Sequence, residues 1–297
     1  MISRGHPEAG LSGTVYAPNA EGVFVPDVPL AHRDEEYDPR GFDILWEMQV
    51  RHFWYRGRHR FLLHATKRAL RDFCSSRSSL AVIDLGGGCG GWVKYLVDRK
   101  PAAVTEIALA DSSLLALQRA GTLLPASVKR YQVDLLNLRW QARWDVAFVL
   151  DVLEHLDDDE AAIREIATAL RPGGLLLATM PALQFFWSYN DEMGHRRRYN
   201  QQDLARLADA AGLRLLSARY FMFFLSPLLW MSRSRPGTAK LTRDQKLKLA
   251  ARAHRLPIAP VNEVLAAMFS METPLGHWVK FPWGTSILGL FQKPDQN

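Results

Sequence analysis

Apolar positions along the chain follow two rhythms. Short, largely apolar runs at 80–84, 106–110, 144–150 and 175–180 predict buried strands, and 128–133 reads as a further strand. Between them, at 91–98, 113–121, 159–170 and 202–211, apolar residues recur at helical spacing. Residues 213–221 predict a further strand, and 286–292 a last one at the end of the chain. Apolar strands that alternate with helices predict a parallel sheet covered on both faces. Upstream, 42–73 carries a helical pattern interrupted by the aromatic and basic run HFWYRGRHR, while 1–40 is rich in Pro, Gly and polar residues and predicts a loose arm. More than 60 residues between the last two strands read as helical.

The bulk numbers set bounds. A chain of 297 residues, 48% hydrophobic and 23% charged, supports a sizeable core in one large or two small domains. Its two cysteines, Cys74 and Cys89, make no disulfide framework and show no zinc-ligand spacing, which predicts a reducing, cytoplasmic setting. The first residues lack the apolar core of a signal peptide, and no run approaches the ~20 apolar residues that span a bilayer. Charge is local. Between Met231 and Arg255, eight Lys/Arg stand against the single acid Asp244, so this stretch carries +7 of a total net charge of +6.

The densest glycine stretch is VIDLGGGCGGW, 82–92, between the first strand of the alternation and the next helix. Ligands of parallel sheets bind beyond the carboxyl ends of strands, where glycines allow a tight turn and the helix N-terminus offers free N–H groups. Gly86, Gly88 and Gly91 fit GxGxxG, so a nicotinamide or flavin dinucleotide is one reading. Asp84 argues against it: a carboxylate there repels a pyrophosphate and suits a ligand carrying a cationic amine.

Asp84-Leu85-Gly86-Gly87-Gly88-Cys89-Gly90 resembles the first motif of class I S-adenosylmethionine-dependent methyltransferases, (D/E)xGxGxG. Later segments resemble that family in order and spacing: IALADSS with Asp111, YQVDLLN with Asp134, WDVAFVLDVLEHL at 144–156, and LRPGGLLLATMP at 170–181. The resemblance implies an α/β, Rossmann-like fold: a seven-stranded, mostly parallel sheet with helices on both faces, here with a helical insertion before the last strand. It implies a core at 41–222 and 284–297, an insertion at 223–283 acting as lid or substrate subdomain, and a flexible arm at 1–40.

It also implies a cofactor site for S-adenosylmethionine, with S-adenosylhomocysteine as product. Asp84, Gly86, Gly88, Gly90 and Trp92 belong to it. Asp111 and Ser112 would meet the ribose, Asp134 and Leu135 the adenine, Asp151 the far end of the ligand, and Arg56 or Arg58 the methionine carboxylate.

Two polar groups stand where an acceptor would meet the methyl. Asp151, Glu154 and His155 form DxxEH, which places three polar side chains on one face if helical. His155 then reads as a general base. DxxEH also resembles the ExxEH metal ligands of ubiquinone-pathway and small-RNA methyltransferases, with Asp151 in place of the first glutamate, so a divalent metal on Asp151, Glu154 and His155 stays open beside the base reading. SYNDEMGHRRRYN, 188–200, supplies His195, Arg198 and Tyr199 as base or acceptor clamp, the alternative being arginines paired with local acids such as Asp191 and Glu192. DxxGHRRRY, Phe53-Trp54-Tyr55-Arg56 and Pro282-Trp283-Gly284-Thr285-Ser286 resemble features of one bacterial small-molecule methyltransferase subgroup.

The expected activity is therefore methyl transfer to a small-molecule acceptor, most simply a hydroxyl oxygen of a partly apolar or anionic compound. A nicotinamide-dependent oxidoreductase and a non-catalytic cofactor-binding member of the fold are the alternatives. The aromatic and basic stretch 219–255 reads as a lid, as helical packing, or as a peripheral membrane contact. No nucleic-acid module accompanies the charge. The acceptor, metal dependence and oligomeric state are not legible in the sequence.

Overall fold

A computed structural model describes residues 8–9, 15–28, 30, 46, 48–188, 191–233, 242, 245 and 256–295. The described strands are β1 (Glu8–Ala9), β2 (Val15–Pro18), β3 (Val23–Pro26), β4 (Leu80–Leu85), β5 (Val104–Asp111), β6 (Lys129–Gln132), β7 (Trp144–Leu150), β8 (Leu170–Pro181), β9 (Arg214–Phe221) and β10 (Ser286–Gln292). They form one sheet in the order β1-β2-β3-β6-β5-β4-β7-β8-β10-β9.

The helices are α1 (Phe53–Phe73), α2 (Gly91–Arg99), α3 (Leu114–Leu123), α4 (Asp159–Ala169), α5 (Gln201–Ala210), α6 (Ser226–Arg233) and α7 (Ala259–Trp278). Every residue of β4 and of β7 is buried, because helices cover both faces of these central strands. Two apolar clusters fill the space on either side, one around Ile83, Val149 and Ile166, the other around Val82, Phe148 and Trp92.

The sheet has ten strands where seven were expected. Seven of them, β6-β5-β4-β7-β8-β10-β9, are the strands read from the sequence, and the other three come from the segment read as a loose arm. β3 pairs in parallel with β6, and Tyr16 buries its ring between Tyr131 and Trp140. Asn19 closes the β2–β3 turn by accepting from the amides of Glu21 and Val23. An otherwise open strand edge is covered this way. The residues of 1–40 other than 8–9, 15–28 and 30, and most of the basic stretch, lie outside the described residues.

Strand order reverses between β4 and β7, which both run parallel to their neighbours. This is the crevice where ligands of such sheets bind. β8, β10 and β9 are antiparallel to one another in turn, with Ser286 opposite Phe221 at the end of the β10–β9 pair. A Cβ on Gly284 would fall on the Phe221 backbone carbonyl, so only glycine lets the chain enter β10 there.

Helix starts follow local chemistry. Ser113 and Asp158 each accept from a first-turn amide, and Asn200 with Asp203 forms a reciprocal capping box on α5. α1 is capped from far away: Asn262 of α7 accepts from the Phe53 amide and donates to the Arg51 carbonyl. α1 and α7 cross where a Cβ on Gly57 would overlap the Phe269 ring. The insertion is thus packed into the core through α7 and α1.

Candidate active site

The glycine turn leaves β4 with Gly86, Gly88 and Gly90 at φ of 72°, 55° and 81°, a region that disfavours any side chain. A Cβ on Gly86 would come within 2.7 Å of Val152, so the turn lies directly against the segment after β7. Asp111, at the end of β5, accepts from the Gly88 amide at 2.8 Å and the Ser113 amide at 2.8 Å. The predicted ribose acid and the glycine turn are therefore one hydrogen-bonded unit. Ser112 is half-buried beside it and accepts through its carbonyl from Gln132 at 3.0 Å. Asp134 folds the loop after β6 by accepting from the Leu136 amide at 2.9 Å, and Leu135 is buried next to it.

Asp84 is buried, and its Oδ1 has no hydrogen-bond partner among the described residues. Burial pushes its carboxyl up to about 7, against the pull of the Arg58 guanidinium and with the push of Asp111. A buried acid poised in this way gains most from a cationic or hydrogen-bond-donating ligand.

Arg58 stands over the same crevice. It is 7% exposed, donates to Asp151, and lies 4.7 Å and 5.0 Å from the ring centres of Trp54 and Tyr55. Asp151 takes a left-handed backbone, φ 58°, at the β7 exit, and its amide donates to Thr179 of β8. Arg56 does not join them: it forms an exposed pair with Glu263 of α7 at 2.6 Å. This corrects its cofactor assignment, because successive helix residues face different directions. Trp92 is also corrected. It is 2% exposed in the core, against Phe148 at 5.1 Å and His59 at 5.6 Å, and so belongs to packing.

A second polar group is built from the segment after β7 and the loop after β8. Leu153–His155 is a single 3-10 turn. Glu154 is wholly buried with neither carboxylate oxygen hydrogen-bonded among the described residues. Burial, then the charge of Asp151, raises its carboxyl well above the ordinary range, against the pull of Arg198 and Arg58. His155 Nδ1 lies 3.1 Å from the Gly194 carbonyl, and burial with the nearby His195 lowers its imidazole to about 3. Such a group is a poor proton acceptor, which corrects its reading as the base.

His195 differs. Its Nδ1 lies 2.8 Å from Asp191 Oδ1, and its ring centre is 4.9 Å from that of His155. Asp191 also accepts from the Ser188 amide and hydroxyl and from Arg198 Nε and Nη2. Burial alone would raise Asp191, but the hydrogen bond from His195 and the charge of Arg198 outweigh it and hold the carboxyl well below its usual range.

Arg198, 4% exposed at its side chain, is consumed by Asp191 and the Ala182 carbonyl. Arg196 pairs with Asp157 and Arg197 with Asp159. Tyr199 is buried and donates to Asp159 at 2.9 Å, with burial and Asp159 pushing its phenol far above its ordinary value. Within the run, Arg198 thus pairs with a local acid, whereas Arg196, Arg197 and Tyr199 are held by Asp157 and Asp159 from another segment.

The three residues that offer ligand atoms within 4.8 Å of one another are Glu154, His155 and His195. Asp151, expected in that set, pairs with Arg58 instead. Thr179, whose buried Oγ1 has no partner among the described residues, and Glu272, which accepts from the Phe224 amide in the turn after β9, had no local sequence signal.

Acid lability follows from this chemistry. His277, stacked on His64 at 4.4 Å, is lowered to about 4 by burial and then by its cationic neighbours, in the same direction as His155 and Asp191. For each, the unfolded chain binds a proton that the folded one refuses. The two histidines contribute stability above their unfolded value of 6.5 and lose it as pH falls toward about 3 and 4. A melting scan is expected to fall by roughly 5 °C or more between pH ~7 and ~5. A flat profile over that window would show that neither imidazole is held neutral by the fold.

Residues 48–218 match the family described as "Methyltransferase domain". The trans-aconitate 2-methyltransferase of Azoarcus sp. is 34% identical over 166 residues, 54% of this chain and 62% of that protein. The ubiquinone biosynthesis O-methyltransferase of Idiomarina loihiensis is 29% identical over 159 residues, 48% and 65% respectively. The chain thus spans less than two thirds of the length of these curated relatives.

Among solved structures, phosphoethanolamine N-methyltransferase 2 of Haemonchus contortus, in complex with phosphomonomethylethanolamine and S-adenosylhomocysteine, shares the fold. The TM-score is 0.54 at 14% identity, covering 98% of this chain and 71% of that one. The glycine turn, its flanking acids and the strand order all fall within or beside the matched residues, and the nicotinamide reading of the same glycines gives way. The chain belongs to the methyltransferase domain family.

Proposed function

We propose that the protein transfers a methyl group from S-adenosylmethionine to a hydroxyl oxygen of a small, partly apolar or anionic acceptor. One observation carries the reading: an acid-flanked glycine turn with a buried, unpaired Asp84 oxygen lies against the segment after β7, whose His155 ring is 4.9 Å from that of His195 in an Asp191–His195 pair. The names of the relatives point to small acceptors, and the subgroup features HRRRY and Pro282–Ser286 agree with it.

S-Adenosylmethionine, when bound, supplies an electrophilic methyl, so the chain's own work is to bind, orient, exclude water and move one proton. Arg58 would take the methionine carboxylate, and Asp84 and Asp151 the ammonium group. Asp111 would hold the ribose hydroxyls beside Ser112, and Asp134 with Leu135 would flank the adenine. Asp191 would accept a hydrogen bond from Nδ1–H of His195 and leave Nε2 to receive the acceptor proton, the arrangement by which a carboxylate orients a base. Glu154, buried within reach of His155 and His195, would line the wall that meets the acceptor. Neutral His155 would line the same wall.

The test joins cofactor calorimetry to methyl transfer from labelled S-adenosylmethionine into a panel of phenols and hydroxy acids. Wild type is expected to bind S-adenosylhomocysteine and not NAD. His195→Gln should bind it equally while transfer falls ~10²–10⁴-fold. Transfer undiminished in His195→Gln would remove the base. Binding of NAD alone would remove the cofactor reading.

A further inference from the structure

α7 is apolar on two sides. Its inner side, through Asn262, Ala266, Phe269, Thr273 and Gly276, is buried in the fold. On the opposite side Val261, Val264, Met268, Met271, Leu275 and Trp278 follow one another at intervals of three and four residues, a straight stripe on a helix. Met268 is half-buried; the other five are 46%, 60%, 63%, 47% and 86% exposed among the described residues. At 1.5 Å per residue the stripe runs for about 25 Å. A continuous apolar surface of this kind on a water-soluble fold marks a contact.

We propose that this stripe is a docking surface for an anionic lipid bilayer. Three observations choose that occupant. The stripe ends in Trp278, the most exposed large apolar residue described, followed by the exposed Val279 and Lys280, the aromatic-then-cationic order suited to a membrane interface. The sequence just before α7 carries the +7 stretch, opposite in sign to anionic headgroups. No helix among the described residues is long and apolar enough to cross a membrane, so α7 would lie along the surface.

A second copy of the chain would use the same spacing as a coiled-coil seam, but such seams are flanked by complementary charges. The flanking positions here are Leu265, Ala267, the buried Glu272 and Pro274. The inference does not depend on the acceptor chemistry or on the identity of the base.

The experiment is co-sedimentation with vesicles of equimolar phosphatidylglycerol and phosphatidylcholine, against phosphatidylcholine alone. The expected result is binding to the anionic vesicles at low salt, weakened at ~0.5 M salt, and reduced at least ~10-fold in Val264→Glu/Met271→Glu and in Trp278→Ser. Both variants should keep the wild-type melting temperature and S-adenosylhomocysteine affinity, which separates loss of docking from loss of fold. Absence of wild-type binding, or binding unchanged in both variants, overturns the proposal. So does a dimer in light scattering that the double variant dissociates and that ignores vesicles, which assigns the stripe to a second copy.

Discussion

Arg58→Met is expected to weaken S-adenosylhomocysteine binding by about two orders of magnitude or more, the range seen when one partner of a buried, hydrogen-bonded charge pair is truncated. The guanidinium is nearly buried, donates to Asp151, and sits over two aromatic rings. Its charge also pulls down the carboxyls of Asp84 and Glu154. Methionine keeps most of the volume and removes the charge, leaving three acids in one poorly solvated crevice. Asp84 loses the charge that favours its ionised form, and with it the form that would attract an ammonium group. Arg58→Lys restores the charge without the planar fork and should recover part of the affinity. Titration calorimetry of the three proteins reads the effect directly. Unchanged affinity in Arg58→Met would place the guanidinium outside the cofactor site and reduce it to a partner of Asp151.

Asp191→Ala should destabilise the fold by about 3–5 kcal/mol, because it strands Arg198 as a buried, uncompensated cation. Asp191 ties together Ser188, His195 and Arg198, and Arg198 in turn holds the Ala182 carbonyl at the end of β8. For a chain of this size that corresponds to a melting temperature lowered by roughly 10 °C. Arg198→Met on the same background removes the stranded charge and should recover much of the loss, which a double-mutant cycle measures as coupling between the two. Equal and additive losses would mean that the pair is held by its surroundings. Methyl transfer should stay low in the double variant even where stability returns, since His195 still lacks the group that orients it.

The sequence carried the sheet core and the glycine turn because both depend on local pattern. Apolar runs bounded by turn residues locate β4, β5, β7 and β10 to within a residue or two. Helix caps at Ser113 and Asn200 lie where side-chain chemistry puts them.

What the sequence concealed depends on distance. Residues 15–26 look like arm because their strand character comes from pairing with β6 and from the rings of Tyr131 and Trp140, more than a hundred residues away. The donors of HRRRY look available because the acids that occupy them, Asp157 and Asp159, come from another segment. Arg56 and Arg58 are equivalent in a linear reading, but two positions apart on α1 they face different ways, one toward Glu263 of α7 and the other toward Asp151. His155 and His195 are likewise equivalent as bases in a linear reading, and burial, invisible in a motif, lowers the imidazole of His155.

The excursion between β9 and β10 starts and ends on cross-strand partners, Phe221 and Ser286. Topologically it is one hairpin loop, however large. The entropy of closing a loop grows only as the logarithm of its length, about 0.6 kcal/mol for each doubling. The strands can therefore tolerate a longer, shorter or wholly different excursion, provided that the face of α1 now covered by Phe269 and Ala266 finds other cover. Whatever the insertion recognises can be exchanged over evolutionary time at the antiparallel end of the sheet, while Asp84, Asp111 and the glycine turn, held on β4 and β5, stay as they are.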